Sequence, residues 1–155
     1  MKFTNCIFNS TNELISNATS YIISDNTNVL FSNCSFFDLF NYWAIFQSFI
    51  GELNIINCSF VNCKAVQLDY SQCIVQSSQF INGTALNAPT GSFTVFNSSF
   101  VNNTVAINAM NIYVYNSFFD SNIVNIVIVR ILCDVSGGNY RTHCASGCDR
   151  KQYCV

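Results

Sequence analysis

The sequence predicts an all-β fold: a right-handed parallel β-helix (solenoid) of about six coils over residues 1–132, followed by a disulfide-rich C-terminal tail over 133–155. Three observations predict it. A polar-small-x-Phe phrase recurs as NCIF at 5, NCSF at 33 and 57, SSQF at 77, NSSF at 97 and NSFF at 116, placing Phe8, Phe36, Phe60, Phe80, Phe100 and Phe119 at intervals of 28, 24, 20, 20 and 19 residues. Periods of that size mark stacked repeats. Apolar residues also stand at fixed offsets before each Phe. Finally, the chain holds 22 Asn beside 15 Phe and 7 Tyr but a single Pro. Asn tolerates left-handed backbone in tight turns, so this composition reads as short strands joined by Asn corners.

Each coil opens with a short strand. Five residues before the anchor Phe stand Phe3, Phe31, Ile55, Val75, Val95 and Val114, and two residues earlier again come Val29, Leu53, Cys73, Phe93 and Ile112. That alternation describes a strand with one inward face. A corner follows at Asn5, Asn33, Asn57, Ser77, Asn97 and Asn116, where a left-handed residue turns the chain. The small residue after it (Cys6, Cys34, Cys58, Ser78, Ser98, Ser117) and the Phe then point inward on a three-residue strand. The corner residues themselves are expected to form an inward ladder of stacked amides, bonded to one another and to neighbouring backbone.

A second turn, VNC, ING, VNN or DSN, leads to a third apolar stretch: KAVQL at 64, TALNA at 84, TVAIN at 104 and IVNIVIV at 123. Three strands per coil, stacked about 4.8 Å apart, make the solenoid. The early coils are longer, and FFDLFNYWAIFQSF at 36–49 is expected to carry a bulged loop or lateral strand. A β-sandwich competes, but its strands need not hold Phe at a constant period.

These phrases resemble the coils of pectin-lyase-like right-handed β-helices. FVNN at 100 and FDSN at 119 are also similar to the Phe-x-x-Asn repeat of polymorphic outer-membrane-protein-like surface proteins, although the Gly-Gly-Ala-Ile element that accompanies it there is missing. The resemblance covers residues 1–132 and implies an extracellular or surface protein, often one segment of a longer solenoid. The tail, CDVSGGNYRTHCASGCDRKQYCV, has lost the apolar periodicity and loosely resembles the start of an epidermal-growth-factor-like module.

Nine cysteines point to an oxidising compartment, as do seven Asn-x-Ser/Thr acceptors at Asn9, Asn17, Asn33, Asn57, Asn82, Asn97 and Asn102. Sugars are expected on Asn17, Asn82 and Asn102, in loops or outward turns, and not on the inward Asn33, Asn57 and Asn97. The start, MKFTNCIFN, lacks the apolar core of a signal peptide, so the expectation is a mature form or segment of an extracellular or cell-surface protein. Cys133, Cys144, Cys148 and Cys154 are expected to form two disulfides, with three connectivities open. His143 with three of them could offer zinc ligands, but the spacing lacks paired CxxC knuckles. Cys63 and Cys73 are a further candidate bridge. Cys6, Cys34 and Cys58 are expected as buried free thiols, because in-register neighbours aim their Cβ bonds the same way.

Charged residues make up 9% of the chain and the net charge is −2, so there is no basic footprint for nucleic acid or anionic membrane. The longest apolar run, around 123–132, is interrupted by Asn125 and Arg130 and is too short to span a bilayer. Sugar cleavage would need clustered carboxylates. The acids Glu13, Asp25, Asp38, Glu52, Asp69, Asp120, Asp134 and Asp149 fall at scattered coil positions, with Asp38 and Asp120 read as turn residues. No catalytic residue, metal or cofactor is therefore expected. Tyr42, Trp43, Tyr70, Tyr113 and Tyr115 are candidates for stacking on carbohydrate, with Phe96 and Tyr115 sharing an outward column. The expected function is a non-enzymatic structural or adhesive protein, a glycosylated solenoid that associates head-to-tail; a polysaccharide-binding or polysaccharide-cleaving β-helix is the alternative.

Overall fold

The computed structural model describes residues 1–9, 20–25, 27–48, 51–128 and 135–136. Asn17, Cys133, Cys144, Cys148, Cys154 and His143 lie outside them. The described residues form the expected parallel β-solenoid, of about five turns. Each turn is short because a left-handed residue bends it wherever a strand ends. Such residues occur at Asn5, Asn33, Asn57, Ser77, Asn97 and Asn116, with φ between 47° and 56°, and again at Asp38, Asn62, Asn82, Asn102 and Ser121, with φ between 53° and 57°. Asn and Asp, which fill most of these corners, are among the non-glycine residues that tolerate this geometry most readily.

Three faces result. The first stacks Lys2–Thr4, Val29–Ser32, Glu52–Ile56 and Gln72–Gln76, then the later parts of Thr84–Phe96 and Val105–Tyr115. The second is a separate six-stranded sheet of three-residue strands, from Ile7–Asn9 through Ser59–Val61 to Phe118–Asp120. The third runs from Ser20–Asp25 through Lys64–Asp69 to Val124–Ile128. Tyr70, left-handed at φ 57°, makes a third corner in its coil. The next two coils run straight through that place as Thr84–Phe96 and Val105–Tyr115, which joins the first and third faces into one 11-stranded sheet.

Two expectations change here. The expected bulged loop is present as Phe40, Asn41 and Tyr42, which lie between Leu39 and Trp43 where the next coil steps directly from Cys63 to Lys64, but Trp43–Ser48 is no lateral strand: it pairs in parallel with both Ser20–Asp25 and Lys64–Asp69 as an ordinary rung of the third face. Val135–Ser136, inside the expected tail, adds a rung beside Val114 and Tyr115, so solenoid pairing continues past residue 132.

The core lies between the faces. Phe8, Phe36, Phe60, Phe80, Phe100 and Phe119 form one column, with successive ring centroids 4.4–5.0 Å apart and planes within 10° of parallel. Phe3 and Phe31 stack at 4.7 Å on the neighbouring face, and Phe31 meets Phe36 edge-on at 5.6 Å. Phe36, Phe60, Phe80 and Phe100 are at most 1% exposed. Such pairing adds to area burial, which favours keeping one residue type in register.

Candidate functional site

No cleft gathers reactive groups among the described residues; the organised chemistry lies in columns along the axis, built at the corners. In the first corner column, Asn5, Asn33, Asn57, Asn97 and Asn116 are exposed, not inward as expected. The left-handed residue interrupts the strand alternation, so its own side chain turns out and the next turns in. Asn33 Nδ2 still donates to Asn5 Oδ1 at 3.2 Å, a solvent-facing version of the expected ladder.

The following residues are the inward ones. Cys34, Cys58, Ser78, Ser98 and Ser117 are buried and Cys6 is half-buried. Each side chain donates to the carbonyl two residues back: Cys34 to Ser32 at 3.4 Å, Cys58 to Ile56 at 3.3 Å, Ser78 to Gln76 at 2.9 Å, Ser98 to Phe96 at 2.7 Å and Ser117 to Tyr115 at 3.0 Å. Hydroxyls also accept from the coil before. The amide of Cys58 donates to Ser78 Oγ at 3.1 Å, that of Ser78 to Ser98 Oγ at 3.2 Å and that of Ser98 to Ser117 Oγ at 3.2 Å.

The second corner column repeats the device. After Asp38, Asn62, Asn82, Asn102 and Ser121 come Leu39, Cys63, Gly83, Asn103 and Asn122. Asn103, 1% exposed, accepts the Gly83 amide on Oδ1 at 3.1 Å while its Nδ2 donates to Phe80 O and Asn122 Oδ1, both at 3.0 Å. The Asn103 amide donates to Asn122 Oδ1 at 2.8 Å, and Asn122 Nδ2 donates to Phe100 O at 2.9 Å. A third ladder runs along the third face: Asn108 Nδ2 donates to Asn87 Oδ1 at 2.7 Å, Asn87 Nδ2 to Gln67 Oε1, and Gln67 Nε2 to Asp69 Oδ1 at 3.4 Å.

Cys63 and Cys73 are free thiols, not the expected bridge. Cys63 Sγ, just after the Asn62 corner, donates to Phe36 O at 3.4 Å and Val61 O at 3.1 Å. Cys73 sits on the first face, in register between Leu53 and Phe93. Cys6, Cys34 and Cys58 are also free. Burial pushes the Cys58 and Cys63 thiols up to about 11, and that of Cys73 well above its ordinary value.

The acids are held in local hydrogen bonds. Asn62 Nδ2 donates to Asp38 Oδ1 at 2.8 Å and Asn54 Nδ2 to Glu52 Oε1 at 3.0 Å. Asp120, read from sequence as a turn residue, ends the strand Phe118–Asp120, and the corner is Ser121. Among the described residues no group of three or more His, Cys, Asp and Glu could hold a metal ion, and no helix is long and apolar enough to cross a membrane.

The sequence-predicted aromatics do not converge. Tyr70 is 71% and Tyr113 37% exposed, and Tyr42 and Trp43 are half-buried. Phe96 and Tyr115 stack on each other at 5.2 Å, 12° from parallel, so the facing sides of the two rings are already occupied. The acceptors Asn82 and Asn102 are exposed, but so are Asn33, Asn57 and Asn97, and burial does not separate the two sets. Among the described acceptors, Asn102 with Thr104 is the pair in which both the Asn and the hydroxyl residue are exposed. Sequence reasoning missed Asn103, Asn122 and the Gln67–Asn87–Asn108 ladder; the signal for the last was an amide at intervals of 20 and 21 residues. Comparison with protein-family models, curated proteins and solved structures finds no match.

Proposed function

We propose that the chain is a non-enzymatic structural or adhesive protein of an extracellular surface, a glycosylated β-solenoid subunit of a filament or surface assembly. The observation that carries this reading is the continuity of its columns. Six Phe rings, two inward corner columns and an amide ladder spend their interactions from coil to coil. Cohesion therefore runs along the long axis, as an element that sets length or bears tension requires. The likeness of the repeat phrases to pectin-lyase-like coils and to outer-membrane-protein-like surface solenoids supports the same reading. So do the exposed acceptor Asn on the corners.

Head-to-tail association belongs to this proposal. Ile7–Asn9 and Phe118–Asp120 are the two outer strands of the six-stranded sheet, and an outer parallel strand is a template for another rung. The test is negative-stain imaging and sedimentation of the native material, with glycopeptide mass spectrometry. Elongated assemblies and a sugar on Asn102 are expected; a bare, stable monomer at micromolar concentration overturns the proposal. The second reading, a polysaccharide-binding solenoid, rests on exposed Tyr70 and Tyr113, and binding of a soluble glycan abolished by Tyr113→Ala would favour it.

A further inference from the structure

The fold requires one of the most self-destructive dipeptides in protein chemistry and holds it shut. Asn82 takes the left-handed corner at φ 56°. The next residue has no room for a side chain, because a Cβ at Gly83 would lie 1.9 Å from Cys63 O. An Asn for the corner and a Gly for clearance yield Asn–Gly, the pair in which succinimide formation meets least steric resistance. In that reaction the deprotonated Gly83 nitrogen attacks Asn82 Cγ, a C–N bond forms and ammonia leaves. Water then opens the ring to aspartate or isoaspartate, the latter adding a carbon to the main chain. Either product carries a new charge, and isoaspartate would also break the corner register.

We propose that Asn82–Gly83 is a gated deamidation site and that Asn103 of the next coil is its lock. Attack requires the Gly83 nitrogen to lose its proton and swing toward Asn82 Cγ. That N–H instead donates to Asn103 Oδ1 at 3.1 Å, and Asn103 is itself fixed through Nδ2 to Phe80 O and Asn122 Oδ1. Opening the site means parting two coils. The same lock stands at two other Asn corners of this half: after Asn97 the Ser98 amide donates to Ser117 Oγ at 3.2 Å, and after Asn102 the Asn103 amide donates to Asn122 Oδ1 at 2.8 Å. Asn103 is thus a positioning residue that acts on the chemistry of a neighbouring coil.

The test is crosswise. Parent, Asn103→Ala and Ser117→Ala chains are incubated for weeks at pH 8 and 37 °C, and isoaspartate is quantified at Asn82 and Asn97 by peptide mass spectrometry. The urea-unfolded parent gives the unprotected rate. Asn82 in the folded parent is expected to react more than tenfold slower than in urea. Asn103→Ala should speed Asn82 severalfold and leave Asn97 unchanged, and Ser117→Ala should do the reverse; Asn103→Ser, which keeps an oxygen acceptor, should restore part of the protection. General destabilisation would speed both sites together, and that result overturns the lock, as does a folded parent that deamidates at the unfolded rate. If Asn103→Ala fails to fold, the Ser117→Ala arm decides the same question at Asn97.

Discussion

The early and the late coils close the same corners with different chemistry. Cys6, Cys34 and Cys58 occupy the inward position after the first corner, then Ser78, Ser98 and Ser117; Leu39 and Cys63 occupy the second column, then Gly83, Asn103 and Asn122. A thiol is a small hydrophobe with a weak donor, whereas a hydroxyl or amide donates and accepts well. The late coils therefore carry hydrogen-bond chains from rung to rung, and the early coils depend more on burial. What the first column demands is a small inward side chain that satisfies the carbonyl two residues behind it, and thiol and hydroxyl both meet that demand.

The seam between the two regimes gives the largest effect. Phe60 lies there, 4.4 Å from the Phe36 ring on the thiol side and 4.9 Å from the Phe80 ring on the hydroxyl side. Phe60→Ala leaves a cavity between coils and is expected to cost roughly 3–5 kcal/mol in chemical denaturation. Both neighbouring stacks lose a partner. If the two regimes fold as one unit, a single transition shifts; if they are separable, the transition splits in two, and that outcome would break the comparison into two domains.

The next effect sharpens the contrast. Ser98→Ala removes the acceptor of the buried Ser78 amide and the donor to Phe96 O, so it is expected to cost about 1–3 kcal/mol. Cys34→Ala removes only a weak donor and a little apolar volume, about 1 kcal/mol. Equal losses in the two urea titrations would show that the hydroxyl chain adds nothing over the thiol stack.

Much of this was legible because a solenoid repeats its evidence. The Phe column, the inward strand positions and the left-handed corners each appear six times at fixed offsets, so noise at one coil is overruled by the others. What repeats once or twice was not legible. Asn103 and Asn122 sit in VNN and DSN, and an Asn beside a corner looks like more turn; only the third dimension turns it inward beneath the preceding coil. The corner amides were placed inside because alternation was carried through a residue whose left-handed backbone suspends it. Trp43–Ser48 was hidden by the long early coils, where no constant period marks the third face. Asp120 was misplaced by one position, and no repeated residue type marks that boundary.

The smallest effect is alkaline, and it tests whether the early coils rely on thiols being thiols. Desolvation by burial raises Cys58 from 9.0 to about 11 against the lowering effect of backbone hydrogen bonds at Cys34 and Ile56, and raises Cys63 from 9.0 to about 11 against that of backbone hydrogen bonds at Leu39 and Val61. Cys73, fully enclosed, moves in the same direction. An acid held neutral by the fold keeps its proton where the unfolded chain has released it, so between about pH 9 and pH 11 the folded state binds more protons than the unfolded state. Stability should be level below pH 9 and fall through that window. Urea midpoints at pH 8, 9.5 and 10.5 measure the fall, and alkylation by iodoacetamide under native conditions should be slow at pH 8 because the reactive thiolate is scarce. Replacing Cys58 and Cys63 together by Ala should flatten the slope, leaving the share due to Cys73, whereas Ser117→Ala, whose hydroxyl serves the Ser98 amide and Tyr115 O, should leave the slope as it was. A slope indifferent to the cysteine pair would mean that the early corners do not hold neutral buried thiols, and the division between the two halves would lose its chemical basis.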